Sequence, residues 1–254
     1  MYQTTTGIVL RETKYNDADK LLDVLTKDFG RLTLKARGVL KSKSTLKSAC
    51  QLLCYAEFTF TEIKGKAVIT EAAPVEQFRA LREDLELLSL GEYFAQVSMV
   101  LSQEDAPDDR MLSLLLNSLH ALCKLNKPQL LVKSVFELRM ACLAGFAPEL
   151  SGCALCGRND VALFDVRNGA LLCADCRPEG ESLRLPVSPG VLAALRHIVL
   201  CQPKQLFSFS LSDDSLAELS SVTEVYLSTQ LEHSFSTLSF YKSLFFDQTV
   251  NHHE

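Results

Sequence analysis

Leu21-Leu-Asp-Val-Leu-Thr-Lys-Asp-Phe-Gly30-Arg-Leu-Thr-Leu-Lys-Ala36 is the stretch on which the fold turns. It holds two short runs rich in branched residues, Leu21 to Leu25 and Leu32 to Ala36, on either side of Asp28-Phe29-Gly30. That pattern predicts a β-hairpin in which Gly30 supplies positive φ. Working outward, Gly7 to Leu10 reads as a strand of the same kind. Tyr55 to Glu62 alternates with period two, and Lys64-Gly65-Lys66 turns it into Ala67 to Thr70. Five short strands in about 75 residues predict a small closed barrel, because closure removes the sheet edges that would otherwise be exposed.

The period changes near residue 78. Ala80 to Leu101 carries Leu81, Leu85, Leu88, Phe94, Val97 and Leu101 at three- and four-residue steps, the spacing of one helix face. Met111 to Leu125 and Leu130 to Leu143 repeat it, and helices resume at Val191 to Leu200 and from about Asp214 to Phe246. Charge divides at the same place: residues 1–80 carry a net +4 and residues 81–254 a net −9, within an overall −5. The predicted organisation is α+β, with a barrel domain over 1–78 and a helical domain over 79–254 that holds an insert at about 150–180.

The 254 residues are 47% hydrophobic and 22% charged, which excludes collagen-like, low-complexity and bulk-disordered chains. No apolar run reaches the roughly 18 to 20 residues needed to cross a bilayer, so no membrane partner is expected. The first residues, Met-Tyr-Gln-Thr-Thr-Thr-Gly, lack a basic head followed by an apolar stretch, so the expected location is the cytoplasm. In a reducing compartment the nine cysteines should be metal ligands, catalytic thiols or small core residues.

Four of them are matched. Cys153-Ala-Leu-Cys156 and Cys173-Ala-Asp-Cys176 form C-x2-C-x16-C-x2-C, the spacing of a structural zinc site in which two tight knuckles complete a tetrahedron. Between them, Val161 to Val166 and Ala170 to Leu172 flank Arg167-Asn168-Gly169, a hairpin signal, and the whole predicts a zinc ribbon. Four thiolates close the coordination shell, so the metal is expected to be structural. Cys50, Cys54, Cys123, Cys142 and Cys201 lie on apolar stretches and read as core.

From Phe29 to Ala56 there is no acidic residue, yet Arg31, Lys35, Arg37, Lys41, Lys43 and Lys47 all fall within it. The segment is a candidate phosphate track; a solvated cationic face is the alternative. Phe58 and Phe60 share one strand face and read as barrel core, while stacking on bases is open to the domain's aromatics, Tyr15 included. Asp17, Asp19, Asp23 and Asp28 do not make a calcium loop, because Leu22 stands where its glycine is required. No G-x-G, G-x-x-x-x-G-K or G-x-S-x-G occurs, and no enzymatic activity is expected.

Tyr15-Asn-Asp-Ala-Asp-Lys-Leu-Leu-Asp-Val-Leu-Thr26-Lys-Asp-Phe-Gly30-Arg-Leu-Thr-Leu-Lys-Ala36-Arg-Gly38, continued by Lys41-Ser-Lys-Ser, closely resembles the bacterial recombination mediator family RecO. Val135-Phe-Glu-Leu-Arg139, Leu143-Ala-Gly-Phe-Ala-Pro148-Glu-Leu150, the four cysteines and Ser236-Thr-Leu-Ser-Phe-Tyr241 extend the resemblance over nearly the full length. It implies an OB-fold followed by a helical domain, with zinc held by Cys153, Cys156, Cys173 and Cys176. It also implies a non-catalytic role in DNA repair and recombination. Members bind single- and double-stranded DNA, anneal complementary strands, engage the acidic C-terminal tail of single-stranded DNA-binding protein, and with RecR promote loading of RecA. Carry-over and composition together make Arg31, Lys35, Arg37, Lys41, Lys43 and Lys47 the expected DNA contacts. An acidic tail needs a local cationic rim, and Lys124, Lys127, Lys133 and Arg139 are the densest cations of the helical half, although surface solvation accounts for them equally. An RNA- or ribosome-associated binding protein is the competing reading, since barrel and ribbon also suit RNA.

Overall fold

The computed structural model describes residues 1–176 and 181–250; residues 177–180, at the end of the expected insert, and 251–254 lie outside the described residues. The barrel is built from β1 (Tyr2–Lys14), β2 (Lys20–Thr26), β3 (Gly30–Ala36), β4 (Tyr55–Ile63) and β5 (Lys66–Glu76). Its strands run β1-β2-β3-β5-β4 and close, a five-stranded barrel of the OB type. One long strand makes closure possible. Tyr2 to Ile8 of β1 pair with β4, Gly7 to Lys14 pair with β2, and the register shifts between Val9 and Arg11, where a bulge bends the strand from one neighbour to the other. β3 meets β5 in parallel, with Leu34 opposite Ala67 and Lys35 opposite Val68.

Val9, Leu22, Val24, Leu34, Phe58, Phe60 and Ile69 fill the barrel, so Phe58 and Phe60 are core as the alternation predicts. Phe29 meets Phe60 edge-on, with ring centroids 5.7 Å apart. Gly30 has φ +66° and closes the β2–β3 turn. A second constraint acts there: a Cβ at this position would lie 2.6 Å from the carbonyl oxygen of Gln103.

Helices follow as α1 (Ala80–Glu83), α2 (Leu85–Leu101), α3 (Asp109–Cys123), α4 (Gln129–Leu143), α5 (Pro189–Leu200), α6 (Asp213–Gln230) and α7 (Ser236–Val250). Two expected helices are each divided. The run Ala80 to Leu101 breaks at Asp84, which is extended and whose carboxylate accepts the N–H groups of Glu86 and Leu87. An aspartate that caps a new helix stabilises the break more than continuation would. The run Asp214 to Phe246 divides after Gln230, where Glu232 adopts φ +48° and ends α6.

Residues Met1–Cys123 and the segment from Phe235 form one compact unit, and Lys124–Ser234 form a second. The change of secondary structure expected near residue 78 lies between β5 and α1; compactness divides the chain elsewhere. In the first unit α2 packs on α7, with Tyr93 edge-on to Phe235 at 5.5 Å. In the second, α4 packs on α6 and α5 beside a small sheet ordered β6 (Glu149–Cys153), β8 (Ala170–Leu172), β7 (Leu163–Asp165), β9 (Arg184–Pro186). The hairpin predicted around Asn168-Gly169 is β7–β8; β6 and β9 have no strand signal in the sequence. No described helix is long and apolar enough to cross a membrane.

Candidate nucleic-acid interface and metal centre

Residues 37–54 connect β3 to β4 as a chain of turns. Apolar side chains pin them: Val39, Leu46, Ala49, Cys50 and Cys54 are buried in the barrel core, and burial pushes the Cys50 thiol up to about 12 and the Cys54 thiol to about 11. Backbone bonds fasten both ends. Leu40 N–H donates to Ala18 O at 3.0 Å, and Leu53 N–H donates to Val9 O at 2.8 Å. Between and beside these buried positions, Arg37, Lys41, Lys43 and Lys47 face solvent. None of these four side chains has a hydrogen bond or ion pair with another described residue.

Arg31 and Lys35 are placed differently from that set. Arg31 sits where β3 meets the end of α2: its Nη1 donates to Met99 O at 3.0 Å and its Nη2 lies 3.9 Å from Glu104 Oε1. Lys35 is paired with Asp19 at 3.1 Å, and its ammonium lies 4.3 Å from the centre of the Tyr15 ring. Lys66 approaches the same ring at 5.6 Å, a position that only the parallel β3–β5 pairing creates. The six cations therefore divide into four free ones on the loop and two engaged at its base. The sequence reading missed Asp19 as the loop's anchor and Lys66 as a neighbour of Lys35; the four-residue spacing of Asp19 and Asp23 signals neither.

Rim candidates in the helical half are also redistributed. Lys124 is exposed and Lys127 half-buried. Lys133 is only 1% exposed; its ammonium lies 2.9 Å from both Glu137 and Glu224 and bonds Ser220 Oγ at 3.1 Å. Burial alone would lower its pKa, but the two carboxylates more than offset this and raise it. Glu137 is itself buried and accepts the Thr223 hydroxyl at 2.7 Å. Arg139 donates to the carbonyls of Ile198, Val199 and Cys201, which close the C-terminus of α5. Lys133 and Arg139 thus leave the rim set, because their charges are spent inside the fold. Of the cysteines read as core, Cys50 and Cys54 are buried, whereas Cys123, Cys142 and Cys201 are half-buried.

The other four cysteines converge. Their sulfurs all lie within 4.8 Å of one another, and Cys156 and Cys173 are 3.8 Å apart. A tetrahedron with metal–sulfur bonds of about 2.3 Å has edges close to this length, so both donor chemistry and spacing fit zinc. Backbone amides of Cys173, Cys156 and Leu155 draw the Cys153 thiol down to about 6, while hydrogen bonding with Cys173 and Cys156 pushes Cys176 up to about 12. Sulfurs so close cannot all ionise unless a cation shares their charge.

Fold and site together define the class of OB-barrel proteins whose helical region carries a four-cysteine insert. The family model described as Recombination protein O N terminal matches residues 1–78, and that described as Recombination protein O C terminal matches residues 82–239. A DNA repair protein RecO from Acetivibrio thermocellus is 34% identical over 96% of this chain and 97% of its own. Another protein of that name, from Rubrobacter xylanophilus, is 34% identical over 76% of this chain and 78% of its own. The chain belongs to the recombination protein O family.

Proposed function

We propose that this protein acts in DNA repair as a non-catalytic recombination mediator of the cytoplasm, with the barrel, residues 1–78, as its DNA-binding domain and residues 79–254 as a helical domain. One observation carries the reading: Arg37, Lys41, Lys43 and Lys47 are free cations displayed on a loop that the barrel holds firmly. Cations fixed in this way bind phosphates without choosing a sequence, since they reach the backbone and not base edges. They suit single- and double-stranded DNA alike. Screening the repulsion of two backbones lets complementary strands meet and anneal by their own base pairing. Lys66, beside the Tyr15 ring at the base of the loop, adds positive charge next to an aromatic face, while Lys35 is held there by Asp19.

In this reading one zinc ion is held by Cys153, Cys156, Cys173 and Cys176 and stiffens the insert. Lys124 and Lys127 receive the acidic tail of single-stranded DNA-binding protein, and the complex with RecR promotes loading of RecA. A strand-annealing assay, with bare strands and with strands coated by single-stranded DNA-binding protein, tests the proposal. Annealing of both substrates is expected. Failure on bare strands removes the DNA function, and failure on coated strands alone removes the tail contact.

A further inference from the structure

One side chain touches both halves of the cysteine cluster. Arg158 directs Nε to Cys156 Sγ at 3.4 Å and Nη2 to Cys173 Sγ at 3.4 Å. The same Nη2 donates to Asp175 Oδ2 at 2.8 Å. Cys156 belongs to the first C-x2-C pair, while Cys173 and Asp175 belong to the second. One edge of the guanidinium therefore runs along the 3.8 Å edge between Cys156 and Cys173. The backbone of Arg158 is pinned as well: its carbonyl accepts Cys153 N–H at 2.9 Å, and a Cβ at Gly152 would stand 3.1 Å from that oxygen.

Chemistry gives this placement a purpose. Four thiolates around a divalent ion leave two surplus negative charges in the insert. Arginine stays charged at any physiological pH and presents several N–H groups in a flat, rigid fork, so one side chain can donate to two sulfurs at once in a fixed geometry. Donation to a thiolate draws electron density from sulfur and makes it harder to protonate or to strip from a metal. The ion pair with Asp175 contributes little stability by itself, since the two side chains are 55% and 74% exposed; its use is to orient the fork.

We infer that Arg158 is a positioning residue of the metal centre, a strap that joins one thiolate from each knuckle and slows loss of the ion. The inference rests on the reading of the four cysteines as a zinc site, and the experiment separates the two. Metal content of the full-length protein is measured first; absence of zinc overturns the site itself, whatever Arg158 does. With zinc present, its transfer to the chromogenic chelator 4-(2-pyridylazo)resorcinol is timed for the parent, R158Q, R158K and D175N. Transfer about tenfold faster in R158Q is expected, with R158K intermediate because it keeps the charge and loses the fork. D175N should accelerate transfer by a smaller factor. In cobalt-loaded protein the sulfur-to-metal charge-transfer band of R158Q should move to lower energy, a change that altered folding alone does not produce. A natively folded, fully loaded R158Q that releases zinc within twofold of the parent, with an unshifted cobalt band, overturns the inference. If R158Q does not fold, R158K and D175N decide: parent-like release in both overturns it, and faster release in both supports it.

Discussion

The carboxylate of Asp19 accepts the backbone N–H of Gly38 at 2.8 Å, joining the β1–β2 connection to the start of the cationic loop. Its other oxygen lies 3.1 Å from Lys35 Nζ and accepts from Asn16. One acidic side chain thus fastens the loop and neutralises the lysine at its base, which leaves the outer cations to face solvent.

Replacing Asp19 with Ala should release this end of the loop. The loss of a charge-assisted bond is expected to cost about 1 to 2 kcal/mol of barrel stability, and amide exchange at Gly38 and Leu40 should accelerate ahead of the core strands. Hydrogen exchange read by mass spectrometry checks this; unchanged protection across 37–40 would mean the apolar plugs alone hold the loop.

A pH dependence follows from the same group. The Gly38 N–H, and after it Lys35 and Asn16, hold the Asp19 carboxyl below its ordinary value. A carboxyl depressed in the folded state stabilises the fold above its unfolded pKa, and the contribution is lost as pH falls through the depressed value. Acid titration should loosen the loop in the parent below about pH 4 and show a smaller change in Asp19→Asn, which has no proton to take up. Amide resonances of Gly38 and Leu40 followed by NMR provide the readout.

Removing Arg37, Lys41, Lys43 and Lys47 together should weaken binding to single-stranded DNA and flatten the log–log salt slope by about 3. Arg31→Ala should leave that slope unchanged and lower the melting temperature, because Arg31 serves the Met99 carbonyl and not solvent. Fluorescence anisotropy over a salt series distinguishes the two. A slope that falls equally for Arg31→Ala would return this residue to the DNA set.

Lys133→Met should destabilise the second compact unit by about 3 to 5 kcal/mol, since Glu137 and Glu224 would lose their buried countercharge. Replacing both glutamates with Leu in the same background should recover much of the loss. Urea denaturation measures both changes, and a neutral Lys133→Met would show that the carboxylates find other partners.

Cys153→Ser with Cys156→Ser should abolish metal binding and lower stability by at least about 2 kcal/mol, or about 4 to 8 °C in melting temperature. Elemental analysis and calorimetry check the pair of effects, and chelation of the parent protein should reproduce them.

Residues of local meaning were legible in the chain. Alternation at Tyr55–Glu62, the turn at Asp28-Phe29-Gly30 and the helical steps after Ala80 reflect neighbours within a few positions, and each appears as strand, turn or helix. The cysteine spacing belongs to the same kind, because a C-x2-C knuckle aims two sulfurs by its own geometry. Helix ends were less visible: the cap at Asp84 and the left-handed Glu232 cut through periodic apolar runs that continue past both.

By itself, then, the sequence determined the barrel, the helical half, the thiolate set and the acid-free run that supplies the proposed DNA contacts. Tertiary structure alone decided which charges remain available. Lys35 and Arg31 look no different in the chain from Lys41 and Arg37, yet the β2–β3 pairing sets Lys35 against Asp19 and the end of α2 brings Met99 O to Arg31, while the others stay in water. Lys133 likewise differs from the exposed Lys124 in burial: α6 packs on α4 and brings Glu224 to its ammonium, beside Glu137 of its own helix. The physical reason is range: periodicity and turns are set by adjacent residues, whereas the free energy of a charge depends on burial and on partners that only the closed fold brings near.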